Sequence, residues 1–243
     1  MRVKGNITEA AGFARRRRAD CRPCAFSRPR GALAALLTPA VVAQAPALNG
    51  EYRLAEGPDV GGGLVVAPDG RFLYVLYAGA LDERAEGRWE RQGEAVCLFT
   101  EPKPVPPAFE KIAPVDVEGA RPTILVTWPS GEGVGGVTFI IGFDRGDPIE
   151  NYTQYDGWTM PEGDRRTPRW VEVREPIYDI AAPRYELGAE DGGRLHLRLV
   201  PNDIGVVDFN GACVEAREDG AVVLRRKEGE MRFVRSETEA GDE

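Results

Sequence analysis

From about residue 50 onward, short apolar runs alternate with clusters of Gly, Pro, Asn and Asp, and that punctuation constrains the fold more than any other feature. The clearest unit is Leu64–Tyr77. Two β-branched and aromatic runs flank Asp69-Gly70, a dipeptide suited to a tight hairpin because glycine takes φ > 0 without a Cβ clash. Strands are expected near Ala85–Arg91 and Ala95–Thr100, with Gln92-Gly93 turning between them. Further strands are expected over Ile124–Trp128, Gly136–Phe143, Trp170–Arg174, Arg194–Val200 and Met231–Arg235. Asn210-Gly211 and Asp219-Gly220 read as hairpin turns. Only Ala80–Glu86 and Pro107–Ile112 offer a helical turn or two. The expectation is an all-β protein of short-stranded meanders, forming a β-sandwich or a small lipocalin-like barrel, in two β domains.

Composition divides the chain further. Residues 1–45 hold nine Lys or Arg against Glu9 and Asp20, which leaves 22 basic and 37 acidic residues in the body, a formal charge of about −15. A surface that acidic repels nucleic acid and anionic lipid. The basic start leads into the uncharged run Gly31–Ala43, which is too short to span a bilayer. The run ends in Ala43-Gln44-Ala45, a small-x-small cleavage pattern. Residues 1–45 therefore read as a signal segment, and the product as periplasmic or secreted with no membrane span after cleavage. Cys21 and Cys24 within the segment supply only two of the four ligands of a zinc site.

The body then divides into an N-terminal meander (46–100), a proline-rich linker (101–121), a middle module (122–180), a C-terminal meander (181–235) and an acidic tail (236–243). Tyr52-Arg-Leu and Tyr185-Glu-Leu each stand 16 residues before a proline, Pro68 and Pro201. This spacing suggests two similar meanders that complete one barrel or pack as a sandwich, with the middle segment inserted.

Chemistry is sparse. The single histidine, His196, lies at a polar position of an alternating strand, and a rim or surface place is expected for it. Its solitude excludes Ser-His-Asp, Cys-His and multi-histidine metal chemistry from the body. No cofactor, metal site or catalytic residue is expected. Gly61-Gly62-Gly63 has no following helix or lysine and reads as a flexible loop rather than a phosphate cradle. Cys97 and Cys213 are open to two readings: a bridge closing a long loop, or two buried thiols. The best ligand-binding candidates are Tyr152, Tyr155, Trp158 and Trp170, aromatics in a polar, turn-rich stretch that would bind a glycan, a peptide or an envelope protein, or else tuck onto the sheet beneath.

The stretch Gly136-Val-Thr-Phe-Ile-Ile, Gly146-Asp-Pro-Ile and Thr153-x-x-Asp156-Gly157-Trp158 resembles carboxypeptidase-regulatory or transthyretin-like β-sandwich modules. The resemblance implies a structural or binding module in which Thr153, Asp156 and Gly157 form a turn. The spacing of Asp69-Gly70-Arg-Phe and Gly87-Arg-Trp89 is similar to small lipocalin-like barrels of exported proteins. The functional expectation is an exported, non-enzymatic binding or envelope-associated protein. The alternative is a glycan hydrolase working through paired carboxylates.

Overall fold

The computed structural model describes residues 48–236, apart from 56 and 118–120. The expected signal segment, with Cys21 and Cys24, and all but the first residue of the acidic tail lie outside the described residues.

The described residues begin with five antiparallel strands in succession: β1 (Gly50–Leu54), β2 (Val60–Val66), β3 (Arg71–Ala78), β4 (Leu81–Gln92) and β5 (Ala95–Thr100). At the β2–β3 turn Gly70 takes φ +88°, and the Asp69 carboxylate accepts the Arg71 N–H, so this dipeptide makes the hairpin its chemistry suits. The triglycine is strand rather than loop. Gly61, Gly62 and Gly63 sit in β2 and pair across to Tyr77, Leu76 and Val75. A Cβ at Gly62 would lie 2.8 Å from the Val75 carbonyl oxygen, so the strand's inward curve needs glycine there. Ala80–Glu86 is likewise strand, because long-range pairing overrides a weak helical preference.

Eight strands follow before the chain returns: β6 (Ala108–Ile112), β7 (Ile124–Thr127), β8 (Thr138–Phe143), β9 (Ile149–Tyr152), β10 (Pro168–Glu175), β11 (Ile180–Ala181), β12 (Tyr185–Glu186) and β13 (Leu195–Val200). The last three are β14 (Asn210–Ala216), β15 (Val222–Arg226) and β16 (Gly229–Arg235). β14 pairs with β5 and β16 pairs with β1, so the first five strands and the last three close an eight-stranded antiparallel barrel. Its interior is filled by alternate residues, among them Tyr52, Leu64, Phe72, Tyr74, Leu98, Val214, Leu224 and Phe233.

The intervening residues, 101–209, form a separate two-sheet layer. One sheet runs β11-β10-β8-β9, with β12 also on β10, and the other runs β6-β13-β7. Val126, Val137, Phe139, Ile141, Val171, Val173, Leu195, Leu197 and Leu199 fill the core shared by the two sheets. Barrel and sandwich are therefore both present, the second inserted into the first.

Several boundaries shift as a result. The expected linker 101–121 contains β6, which begins directly after Pro107 and pairs with β13, since the prolines limit only their own positions. The expected C-terminal meander 181–235 divides at Asn210: its first part belongs to the insert and its second to the barrel. Tyr185 and Pro201 lie in the insert, so their shared spacing with Tyr52 and Pro68 is not a repeat of barrel strands. Asn210-Gly211 is no hairpin but a register shift within β14, where Gly211 takes φ +89°. Asp219-Gly220 does turn β14 into β15, with the Arg217 N–H donating to the Ala221 carbonyl.

The insert leaves and rejoins the barrel through neighbouring strands at one end. The Thr100 N–H donates to the Phe209 carbonyl at 2.8 Å, and the Phe209 N–H donates to Thr100 Oγ1 at 2.9 Å. The Thr100 hydroxyl donates in turn to the Val207 carbonyl, closing the stem. Cys97 and Cys213 are directly opposed on β5 and β14, with Cα atoms 4.0 Å apart, and form a disulfide.

Candidate functional site

The four aromatics of the turn-rich stretch do not line one surface. Tyr152, at the end of the edge strand β9, and Tyr155, at the tip of the following turn, are open to solvent, Tyr155 with 77% of its area exposed. Trp158 packs on the insert's core, its ring 5.1 Å from that of Phe139, and its backbone bridges to Ile124. Trp170 projects from the opposite face of its sheet, since its neighbours Val171 and Val173 point inward. The Arg184 guanidinium lies 3.9 Å from its ring centroid, and a Cβ on Gly142 would collide with the ring. Packing thus occupies both tryptophans, and of the four only Tyr152 and Tyr155 offer free ring surface.

Thr153, Asp156 and Gly157 lie in a tight turn. The Thr153 hydroxyl donates to the Val134 carbonyl and accepts the Val137 N–H, while Gln154 and Gly157 exchange backbone bonds. Gly157 takes φ +88°, and a Cβ there would lie 2.6 Å from the Ile124 carbonyl oxygen.

His196 is buried rather than at a rim. β13 is the centre strand of its sheet, and the chain after β6 covers its second face. Nδ1 lies 3.2 Å from the Ala113 carbonyl oxygen and Nε2 lies 3.1 Å from Thr127 Oγ1. A carbonyl only accepts, so Nδ1 carries the proton and Nε2 accepts the Thr127 hydroxyl, which satisfies a neutral ring. Burial holds its pKa below the ordinary value, opposed by the Ala113 bond and reinforced by Arg198 and Arg194.

The concave feature with the chemistry of a binding site lies where the insert joins the barrel. The starts of β4 and β14 and the β15–β16 turn meet there at one barrel mouth. Phe209, the last residue of the insert, enters the mouth and packs against Tyr74 and Phe72 with ring centroids 5.1 and 5.9 Å away. Arg226 closes the mouth beside it. Its Nη1 and Nη2 donate to the two oxygens of Glu83 at 2.5 and 3.0 Å, a bidentate pair that is largely out of water. Nη1 also donates to Tyr74 Oη at 2.7 Å, and Nε donates to Glu228 at 3.1 Å. Burial raises the Tyr74 phenol well above its usual range, with Arg226 opposing and Glu83 reinforcing the shift.

Over this plug lies an open groove of about 970 Å³. Leu81, Val207 and Phe209 line its barrel side, the proline segment 103–107 forms one wall, and Ile177 and Tyr178 form another. The segment from Asp203 to Val207 fastens the walls together. Asp203 exchanges bonds with Val105, and Gly205 and Val207 pair with Arg84 of β4. Val105 and Ile177, apolar and exposed, project at the lip.

The carboxylates in and near the groove are committed. Glu83 holds Arg226. Burial raises the Glu228 carboxyl, but its own backbone N–H and Arg226 outweigh this and hold it below the ordinary range. Among the buried acids, Glu175 accepts the Ile177 and Tyr178 N–H groups, and Asp191 pairs with Lys111 and accepts the Gly188 N–H. Among the described residues no three His, Cys, Asp or Glu side chains are grouped to hold a metal, and no helix is long and apolar enough to cross a membrane.

Sequence reasoning missed this groove because its lining comes from five separated stretches of chain, each unremarkable by itself. The only local signal is the proline run, which by itself reads as a linker. No family model, curated protein or solved structure matches the chain.

Proposed function

We propose that this chain is an exported, non-enzymatic binding protein whose ligand seat is the groove at the barrel mouth. The observation that carries the reading is the groove's construction: an apolar trough over a fixed Glu83–Arg226 floor, walled by a proline segment and a clasped turn. Concave, mostly apolar sites with a few placed polar groups at barrel mouths and domain junctions are where small ligands bind. A molecule with an apolar body and a polar end fits this arrangement. Ion-paired acids support binding over hydrolysis, because a glycosidase needs one carboxyl kept protonated near neutral pH. Export rests on the order of basic flank, apolar run and Ala43-Gln44-Ala45, and the Cys97–Cys213 bridge is at home in an oxidising compartment.

A neutral apolar dye, phenylnaphthylamine, tests the groove by fluorescence titration of the full chain. Saturable binding is expected, and Ile177→Asp or Val105→Asp should weaken it at least about tenfold, ~1.4 kcal/mol. Both positions are exposed, so circular dichroism should show the fold intact. Dye binding that both substitutions leave unchanged would place the seat elsewhere.

A further inference from the structure

We infer that the outer face of β1–β4 is a two-fold self-complementary surface through which two copies of this chain pair. The register sets out this face row by row. Glu51, Val65, Leu73 and Glu86 stand side by side across the four strands. The next row is Arg53, Gly63, Val75 and Arg84, and the one after it carries Gly61, Tyr77 and Asp82. On the other side of the first row stand Arg71 and Arg88. All these side chains point outward, because the intervening residues Tyr52, Leu64, Phe72, Tyr74 and Ala85 fill the barrel.

Two features set the face apart. Its centre is apolar and open: Leu73 is 52% and Tyr77 54% exposed, and nothing occupies the space where a side chain at Gly61 would stand. Its flanking charges are uncommitted: Glu51, Arg53, Asp82, Arg84 and Glu86 make no ion pair among the described residues. The outer face of β14–β16 behaves differently, since Arg225 pairs with Glu215 and Glu230, and Arg232 pairs with Asp219.

The order of charges selects the partner. A row that is acidic at both ends lies beside a row that is basic at both ends. A two-fold axis running across the strands, midway between these rows, lays each on the other in the second copy. Glu51 then faces Arg53 and Glu86 faces Arg84, each contact made twice. Leu73 meets Val75, and Val65 stands over the gap left by Gly63. The same operation brings Tyr77 over Arg71, a cation–π contact, while Arg88 stays with Glu90 and Glu101 of its own chain. An axis along the strands would instead set Glu51 against Glu86 and Arg53 against Arg84, so the pattern favours one orientation and disfavours the other. Laid flat, four strands ~4.8 Å apart and seven residues of β3 would cover roughly 20 Å on a side. Closure of the barrel curves β1 and β4 away, so close contact centres on β2 and β3 and is smaller than this. That is below a standard interface of about 800 Å² per partner, so the dimer is a weak one that forms at micromolar or higher concentration.

Sedimentation velocity of the full chain over a concentration series tests this. A monomer–dimer equilibrium is expected, weakening as NaCl is raised because its charges sit at an exposed rim. Leu73→Lys should abolish the dimer. Glu86→Arg and Arg84→Glu should each weaken it about tenfold or more, and the double swap should restore it, since each contact joins Glu86 of one copy to Arg84 of the other. A chain that stays monomeric to about 1 mM would overturn the inference. So would a dimer indifferent to Leu73→Lys, or a double swap that fails to restore pairing. Circular dichroism of each variant confirms that the barrel is intact.

Discussion

Replacing Arg226 with methionine keeps most of the side-chain volume and removes the guanidinium shared by Glu83, Tyr74 and Glu228. The Arg226 and Glu83 side chains are only 9% and 14% exposed, so the lost pair is close to a buried one. Breaking a buried ion pair by deleting one partner costs about 3–5 kcal/mol, because the other charge is left desolvated. Water from the groove reaches Glu83 once Arg226 is gone, which places the expected cost at the lower end, about 3 kcal/mol. The Glu228 contact lies on the exposed side and adds no more than about 0.5 kcal/mol. Replacing both partners, as Arg226→Met with Glu83→Leu, removes the stranded charge and leaves an apolar plug against Phe209 and Met231. That double variant should lose only about 1 kcal/mol. Urea unfolding at pH 7, with the m-value constant across the set, measures both. A single-variant loss below about 1 kcal/mol, or a double variant as unstable as the sum of its singles, would refute the claim that a desolvated pair closes the barrel.

Trp158→Ala should lower stability by about 3 kcal/mol, since the ring packs on Phe139, while Tyr155→Ala should change it by less than about 0.5 kcal/mol; thermal melts compare them. The Cys97–Cys213 bridge spans a sequence separation of 116. For a loop that long the chain-entropy relation gives an upper value of about 5 kcal/mol, to be read from the urea midpoints of the oxidised chain and of Cys97→Ser with Cys213→Ser. The folded chain holds His196 neutral, so the unfolded state binds the extra proton; stability should be full above pH ~6.5 and decline as pH falls below it. As this is the only histidine, the slope between pH ~5.5 and ~7.5 should flatten in His196→Gln, leaving only the carboxylate contribution toward the acid end, measured by urea unfolding. N-terminal sequencing of the exported protein should begin at Pro46; a product that keeps Arg15–Arg18 would end the signal reading.

Local chemistry was legible where one residue type has one use. Asp69-Gly70 and Asp219-Gly220 make turns because they sit between apolar runs that can pair directly. Asn210-Gly211 satisfies the same φ > 0 requirement but spends it on a register shift, and no local feature separates the two uses. The alternation that places Leu195, Leu197 and Leu199 in a core was readable, whereas the burial of His196 was not. It depends on Ala113, more than eighty residues earlier, crossing the strand's other face. Closure of β1 on β16 and the gathering of the groove are long-range in the same way, and periodicity carries no information about them.

The stem at Thr100 and Phe209 has a consequence for how the molecule assembles. Its two ends are 109 residues apart in sequence, and bringing them together across unfolded chain costs about 4 kcal/mol from length alone. If the sandwich folds first, its own packing delivers both ends to one place, and the seam between β5 and β14 then closes as cheaply as an ordinary hairpin. With that seam made, β1 and β16 are brought within a barrel's width of each other. The inserted piece would then act as the template on which the ring is zipped, with Phe209 threading the mouth as the last residue of the template and the first of the closing half.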